Sequence, residues 1–473
     1  MGLGEADVAA RGTREREGAE VTTVDRSRLP TPGPLRVFDF PRVDKATLPN
    51  GLRVWTVAHR AVPLVSLSLL VRRGAADDPP GREGLAAMTL DMLDEGSLGR
   101  TSIQMHEALG EIGAHLESDI SSDALLVGAT VLERFVERAL GLLADIVVRP
   151  ALTDADFERV RQLRLHRLAQ LRDLPGAVAD RAFTALLYGD HPYGHTPLGH
   201  EPSLTAMTVD DVRRFHVDIL CPSETTLIVV GDCQHDRITR MADAALGGWL
   251  GSPPIPTQEV AVPPEPGRLH VVPRPGAPQS ELRIGHVAVA RSTPDYYALV
   301  AANQVLGGQF VSRINLNLRE DKGLTYGART SFDFRRRPGP FALQVSVDTP
   351  ATARAIQESL SEIVAIRGPR PVTTEELHLG IASLTRGYAR NFETADQIAR
   401  AIGQIVLHDL PDDYYAGFVQ TIERLTLEEI TEAARRHLQP DRLTTLVVGD
   451  LDVIGPDLSR LGLGEPVLCH PRR

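Results

Sequence analysis

Thr226-Leu-Ile-Val-Val-Gly-Asp232 and Thr444-Thr-Leu-Val-Val-Gly-Asp450 are two versions of one short apolar segment ending in Gly-Asp. The match extends outward from both. Met207-Thr-Val-Asp-Asp-Val212 pairs with Leu425-Thr-Leu-Glu-Glu-Ile430 and Pro222 with Pro440, all at an offset of 218 (207 to 425, 222 to 440, 231 to 449). Each copy reads as a capped helix, a proline turn and a buried strand. Further upstream, Thr153-Asp-Ala-Asp-Phe157 is echoed by Thr373-Thr-Glu-Glu-Leu377 at an offset of 220. A repeat of this length means duplicated domains, because solenoid units are far shorter.

The first copy begins with two strands, Leu52 to Val57 and Val65 to Val71, with turn signals at Asn50-Gly51 before the first and Pro63 before the second. A Gly/Pro-rich loop over Gly74 to Gly84 leads into a short helix, Leu85 to Leu93, closed by Gly96, and Ser102 opens another helix. Leu125 to Val131 is a strand, followed by a helix with one apolar stripe through Phe135, Val136, Ala139, Leu140 and Leu143. Thr153 then caps a long helix running towards Pro175. Strands grouped before helices, rather than alternating with them, predict an α+β fold: two homologous domains, each a mostly antiparallel sheet with helices packed on one face. The expected boundaries are a tail over 1–34, a first domain over 35–251, a proline-rich linker over 252–267 and a second domain over 268–473.

Composition narrows the function. The 473 residues are 42% apolar and 24% charged with a formal net charge of -11, so neither nucleic acid nor an anionic membrane is the expected partner. Cys221, Cys233 and Cys469 form no CxxC pair and are expected to be structural thiols in a reducing compartment. The first 34 residues lack the apolar core of a signal peptide, and no stretch has the 18 or more apolar residues of a membrane span, so a cytoplasmic location is expected.

Arg319 and Tyr326 flank the Lys322-Gly323 break in Asn317-Leu-Arg-Glu-Asp-Lys-Gly-Leu-Thr-Tyr-Gly327. A permanently charged guanidinium and a phenol seven positions apart can together hold a carbonyl or an oxyanion. They can equally be an arginine at a helix end and a tyrosine opening a strand. His191, His195 and His200 cluster in a Gly/Pro-rich loop without a zinc-ligand spacing and are read as part of a structural turn. Glu117 with Asp119, Asp77 with Asp78, and Glu428 with Glu429 are read as solvated surface.

The repeat, taken with Leu48-Pro-Asn-Gly-Leu-Arg-Val54, Tyr188-Gly-Asp-His-Pro-Tyr-Gly194, Leu306-Gly-Gly308 and Leu318-Arg-Glu-Asp-Lys-Gly-Leu-Thr-Tyr326, resembles the insulinase/pitrilysin metallopeptidases. It looks closest to the bacterial and processing-peptidase branch, in which two such chains form one enzyme. The resemblance covers about residues 40 to 455. Active members carry His-x-x-Glu-His, which sets two ligands on one helical face with a general base between them. Aligned on its Gly-Leu-Ala start and Gly-Ser end, Gly84-Leu-Ala-Ala-Met-Thr-Leu-Asp-Met-Leu-Asp-Glu-Gly-Ser97 places Ala87 and Asp91 at the histidine positions and Leu90 at the glutamate. The third ligand position falls near Arg167. One carboxylate does not make a catalytic zinc site, so no metal is expected in this chain.

The resemblance therefore implies a non-catalytic subunit whose homologous partner holds the zinc and cuts a peptide or unfolded polypeptide. Arg319 and Tyr326 match the arginine and tyrosine that the family's second domain contributes to the shared chamber, for substrate binding and the oxyanion. The alternative is a peptide-binding or structural scaffold of the same fold with no part in proteolysis.

Overall fold

The structure is a computed structural model and describes residues 39–251 and 268–469, together with Ser27 and Gly33. Apart from those two residues, the expected tail lies outside the described residues, as does the expected linker. The strands in chain order are β1 (Asp44–Thr47), β2 (Arg53–Ala58), β3 (Leu64–Val71), the two-residue pair β4 (Gly96–Ser97) and β5 (Arg100–Thr101), β6 (Glu117–Ile120), β7 (Leu125–Leu132) and β8 (Thr225–Gly231). The second half adds β9 (Leu269–Pro273), β10 (Gln279–Val287), β11 (Ala328–Phe332), β12 (Pro340–Asp348), β13 (Thr444–Gly449) and β14 (Val467–Leu468).

The duplication read from sequence is a duplication of topology. One six-stranded sheet has the order β1-β2-β8-β3-β7-β6, and the other has β11-β12-β10-β13-β9-β14. Read from opposite ends they share a five-strand core, β2-β8-β3-β7-β6 against β9-β13-β10-β12-β11. The directions agree as well: β2 and β8 pair parallel, as do β9 and β13, and the remaining core pairs are antiparallel. Only the sixth strand differs, β1 being antiparallel to β2 and β14 parallel to β9. The four predicted threonine caps hold: Thr153, Thr208, Thr373 and Thr426 each accept a hydrogen bond from the N–H three residues on.

Period-two alternation sends each strand's side chains to two cores. In the first sheet Val65, Leu67, Leu69, Leu227 and Val229 pack under the helices of their own half, including Leu85–Leu93 and Val136–Val148. Val57, Leu70, Ile228 and Val230 point the other way, onto Ile398, Ile402 and Val406 of the Ala395–His408 helix from the second half. The exchange is reciprocal. The Pro175–Tyr188 helix lays Ala179, Ala182 and Phe183 on Val272, Ala342, Leu446 and Val448 of the second sheet. There Asp180 accepts a hydrogen bond from Arg283 Nε at 2.7 Å.

Sequence periodicity finds the helices but not which sheet they cover. Four branched aliphatic side chains on the far face of the first sheet contribute roughly 2 kcal/mol each. Exposing them would remove about as much free energy as the net stability of a domain, about 5–15 kcal/mol. Each half therefore depends on the other for its second core. No helix among the described residues is long and apolar enough to cross a membrane.

Candidate functional site

The Leu85–Leu93 helix is buried on almost every side, so Ala87 and Leu90 face neighbouring side chains rather than a cavity. Its N-terminus is closed by a group that the sequence reading left on the surface. The Asp78 side chain is 0% exposed and accepts hydrogen bonds from Gly84 N–H at 2.6 Å and Ala86 N–H at 2.7 Å. His195 Nε2 lies 3.0 Å from the same carboxylate and 3.0 Å from the Ala75 carbonyl, so it donates to both. Burial pushes the Asp78 carboxyl above its usual range, opposed by His195 and by the two helix N–H groups. This is a correction with a physical reason. A carboxylate set in a loop before a helix can fill the orphan donors of its first turn, a tertiary contact that adjacency to Asp77 does not reveal.

Asp91 is the one liganding group on this helix, and it is already engaged. Arg164, buried on the Asp154–Arg172 helix, donates from Nη1 to Asp91 Oδ2 at 2.6 Å and from Nη2 to the Pro197 carbonyl at 2.9 Å. Arg167, at the position expected from spacing, points to solvent one turn further on. The guanidinium beside Asp91 thus belongs to a residue the sequence did not single out. Residues i and i+3 share a helix face, so spacing alone does not choose between the two. Among the described residues there is no group of three His, Cys, Asp or Glu side chains placed to hold a metal ion. Ala87, Leu90 and a carboxylate tied to arginine do not fit zinc.

The three loop histidines go separate ways. His191 is buried and accepts the Tyr193 N–H at Nδ1, 3.0 Å away, while His195 serves Asp78. His200 Nδ1 lies 3.4 Å from Arg181 Nη2. In the same turn Tyr188 donates to the Pro338 carbonyl at 2.9 Å, and Tyr193, which donates to Asp123 at 2.6 Å, accepts the Arg337 N–H at 3.2 Å, so this loop fastens the two halves together. Cys221 and Cys233 are buried free thiols, and burial raises the Cys233 pKa to about 11.

The 304–328 segment is finished differently. Two π-helical turns, Gln304–Gly308 and Leu316–Asp321, carry the glycine pair and Arg319, and such turns recur at functional sites. Gly307 is required where the first turn meets β11, since a Cβ there would lie 2.5 Å from Thr330 Oγ1. Gly323 takes φ +62, the left-handed conformation that ends the second turn. Lys322 Nζ bonds Asn317 Oδ1 at 2.6 Å and pairs with Glu358 at 3.3 Å, fixing that turn to the Thr352–Ala365 helix.

Tyr326 is bracketed by fixed neighbours. Thr325 Oγ1 donates to the Ser346 carbonyl at 2.7 Å and accepts from Gly327 N–H at 3.1 Å. The buried Asn315 amide reads both backbone groups of Ala328, accepting its N–H at 2.9 Å and donating to its carbonyl at 2.7 Å. Between these anchors the Tyr326 side chain is 95% exposed. Arg319 is mostly covered: its guanidinium carbon lies 3.3 Å from the centroid of the Phe310 ring, and Nη2 pairs with Glu320.

Of the four edge strands of the two six-stranded sheets, β11 and β6 lie beside candidate binding features. Asn315 and Asn303, whose amide donates to the Thr330 carbonyl at 3.1 Å, occupy the outer edge of β11. β6 has a neighbouring strand on one side only and borders a groove of about 1020 Å³ shared with the Ala395–His408 helix, lined among others by Glu117, Asp119, Asp396, Arg400 and Tyr388. Burial and the nearby Asp396 push the Glu117 carboxyl upward.

Residues 206–384 match a family profile described as the peptidase M16 inactive domain, and residues 53–200 match the profile for insulinase, peptidase family M16. An uncharacterized zinc protease of Mycobacterium leprae is 26% identical over 401 residues, 84% of this chain and 89% of that protein. One from Bacillus subtilis is 21% identical over 411 residues, 86% of this chain and 98% of that protein. Among solved structures, the peptidase M16 inactive domain from Pseudomonas fluorescens superposes with a TM-score of 0.81 at 23% identity, covering 86% of this chain and 98% of the other. A protease from Helicobacter pylori superposes with a TM-score of 0.79 at 18% identity, covering 86% and 99%. This chain shares its fold with both solved structures.

Proposed function

This chain belongs to the insulinase family of peptidases, family M16, and from that premise we propose that it is the non-catalytic subunit of a two-chain zinc peptidase. The observation that carries the proposal is the opposite finish of its two candidate sites. Asp91 is locked to Arg164, whereas Tyr326 stands 95% exposed on an anchored loop. A phenol carried on a fixed backbone and left open to an outside partner is what a shared chamber requires.

In this reading the homologous partner chain brings the metal and the attacking water. Arg319 binds a main-chain carbonyl of the extended peptide through the N–H groups that Glu320 does not occupy. Tyr326 donates to the oxygen that gains charge as the scissile carbonyl becomes tetrahedral. A preorganised donor of this kind is worth about two to three orders of magnitude in rate. Co-expression with a family chain carrying His-x-x-Glu-His tests the proposal. The pair should cleave an unstructured polypeptide that neither chain cleaves alone, and Arg319→Ala or Tyr326→Phe should slow cleavage with the heterodimer intact. Full activity of the partner by itself would reject it.

A second reading, a peptide-holding module without proteolysis, is favoured by β6. An edge strand with free backbone groups beside a groove suits an added strand of peptide. The two readings separate on whether peptide binding survives without any partner chain and leads to no cleavage with one.

A further inference from the structure

Phe310 is a large apolar side chain left 65% exposed and outside the second half's hydrophobic core. Its ring is nevertheless engaged, because the Arg319 guanidinium carbon lies 3.3 Å from its centroid. The contact is not forced by helix spacing. Phe310 lies between the two π-helical turns and Arg319 within the second, so the backbone folds back to bring them together. Arg319 Nε is buried with no hydrogen-bond partner among the described residues. Burying one edge of a guanidinium without a partner is unfavourable, and the negative face of an aromatic ring is the group that offsets it here.

Resting on the subunit role proposed above, we infer that Phe310 is a positioning residue that fixes the plane of the Arg319 guanidinium. The ring holds one face, Glu320 holds Nη2 and Nε is buried, which leaves the Nη1 donors for a ligand. An arginine without that platform samples many rotamers and loses much of its pre-organisation for a peptide carbonyl. Binding of a main-chain carbonyl away from the reacting bond is felt equally in the ground and transition states. Its loss therefore raises KM and leaves kcat nearly unchanged.

The test uses the full chain co-expressed with its His-x-x-Glu-His partner and self-quenched, dye-labelled casein as substrate. Phe310→Leu, which keeps apolar volume but has no π face, should raise KM about tenfold at nearly constant kcat. Phe310→Trp should restore the wild-type KM. The Phe310→Leu/Arg319→Ala double variant should show no higher KM than Arg319→Ala alone, because the ring acts only through the arginine. A merely structural role would lower kcat through loss of assembled enzyme and would leave KM unmoved. If Arg319→Ala raises KM and Phe310→Leu does not, the positioning role is wrong while the subunit role stands. If Arg319→Ala changes nothing, or the wild-type pair cleaves no casein, the subunit role fails and this inference with it.

Discussion

The first half's helix of zinc-site positions and the second half's Arg319–Tyr326 segment are built with equal care and finished in opposite directions. Around Leu85–Leu93 the two carboxylates are closed on other groups: Asp78 on the helix N-terminus and His195, Asp91 on Arg164. Around Tyr326 the hydrogen bonds stop at the backbone, made by Thr325 and Asn315, and the phenol projects beyond them. A closed polar network stabilises, whereas an anchored but unsatisfied donor is available for binding. The difference teaches that the carboxylates of the first segment are spent on holding the fold, whereas the phenol of the second is left open to a ligand.

Substitutions on the two sides should accordingly divide between stability and function. Asp78→Ala carries the largest expected effect, because it orphans two helix N–H groups and removes one of the two acceptors of His195 Nε2. It should cost roughly 3 kcal/mol in denaturant unfolding, and a loss below a quarter of that would mean Asp78 is not the cap described. Asn315→Ala comes next, at about 2 kcal/mol, since it leaves a buried N–H and carbonyl of Ala328 unpaired. It sharpens the comparison by lying under the presented site. Both stability and cleavage by the two-chain complex should fall, and an unchanged cleavage rate would show that the anchor is irrelevant to Tyr326.

Arg164→Ala should cost roughly 1.5 kcal/mol, discounted from the value for fully buried pairs because Asp91 is half-exposed. Arg167→Ala, at an exposed position, should stay within about 0.5 kcal/mol of wild type. Equal losses from the two arginines would erase the distinction drawn between them.

Much of this was legible in the sequence, and what was missed was missed for one kind of reason. The offset between Thr226–Asp232 and Thr444–Asp450 announces the duplicated sheets, and the four threonine caps follow from local chemistry alone. Period-two alternation in Val65 to Val71 gives the two faces of β3 but not the identity of the second layer. For β3 that layer comes from a helix more than 300 residues further along the chain (Val71 to Ala395). Asp78, Arg164 and Phe310 were invisible for the same reason. Each acts on a group brought to it by tertiary folding: a helix end, a carboxylate on another helix, a guanidinium across a turn. No periodicity or cap rule encodes those meetings. Arg319 and Tyr326 were singled out through motif resemblance, and the structure adds the contacts of Arg319 and the backbone anchors beside Tyr326.

The central claim is most directly tested by Tyr326→Phe in the complex with a zinc-motif partner, measuring kcat for polypeptide cleavage alongside heterodimer content and unfolding midpoint. The phenyl ring is kept and the side chain is exposed, so the stability of this chain should change by less than about 0.5 kcal/mol and the dimer should persist. The prediction is a fall in kcat of about a hundredfold. Wild-type kcat in an intact Tyr326→Phe complex would contradict the account.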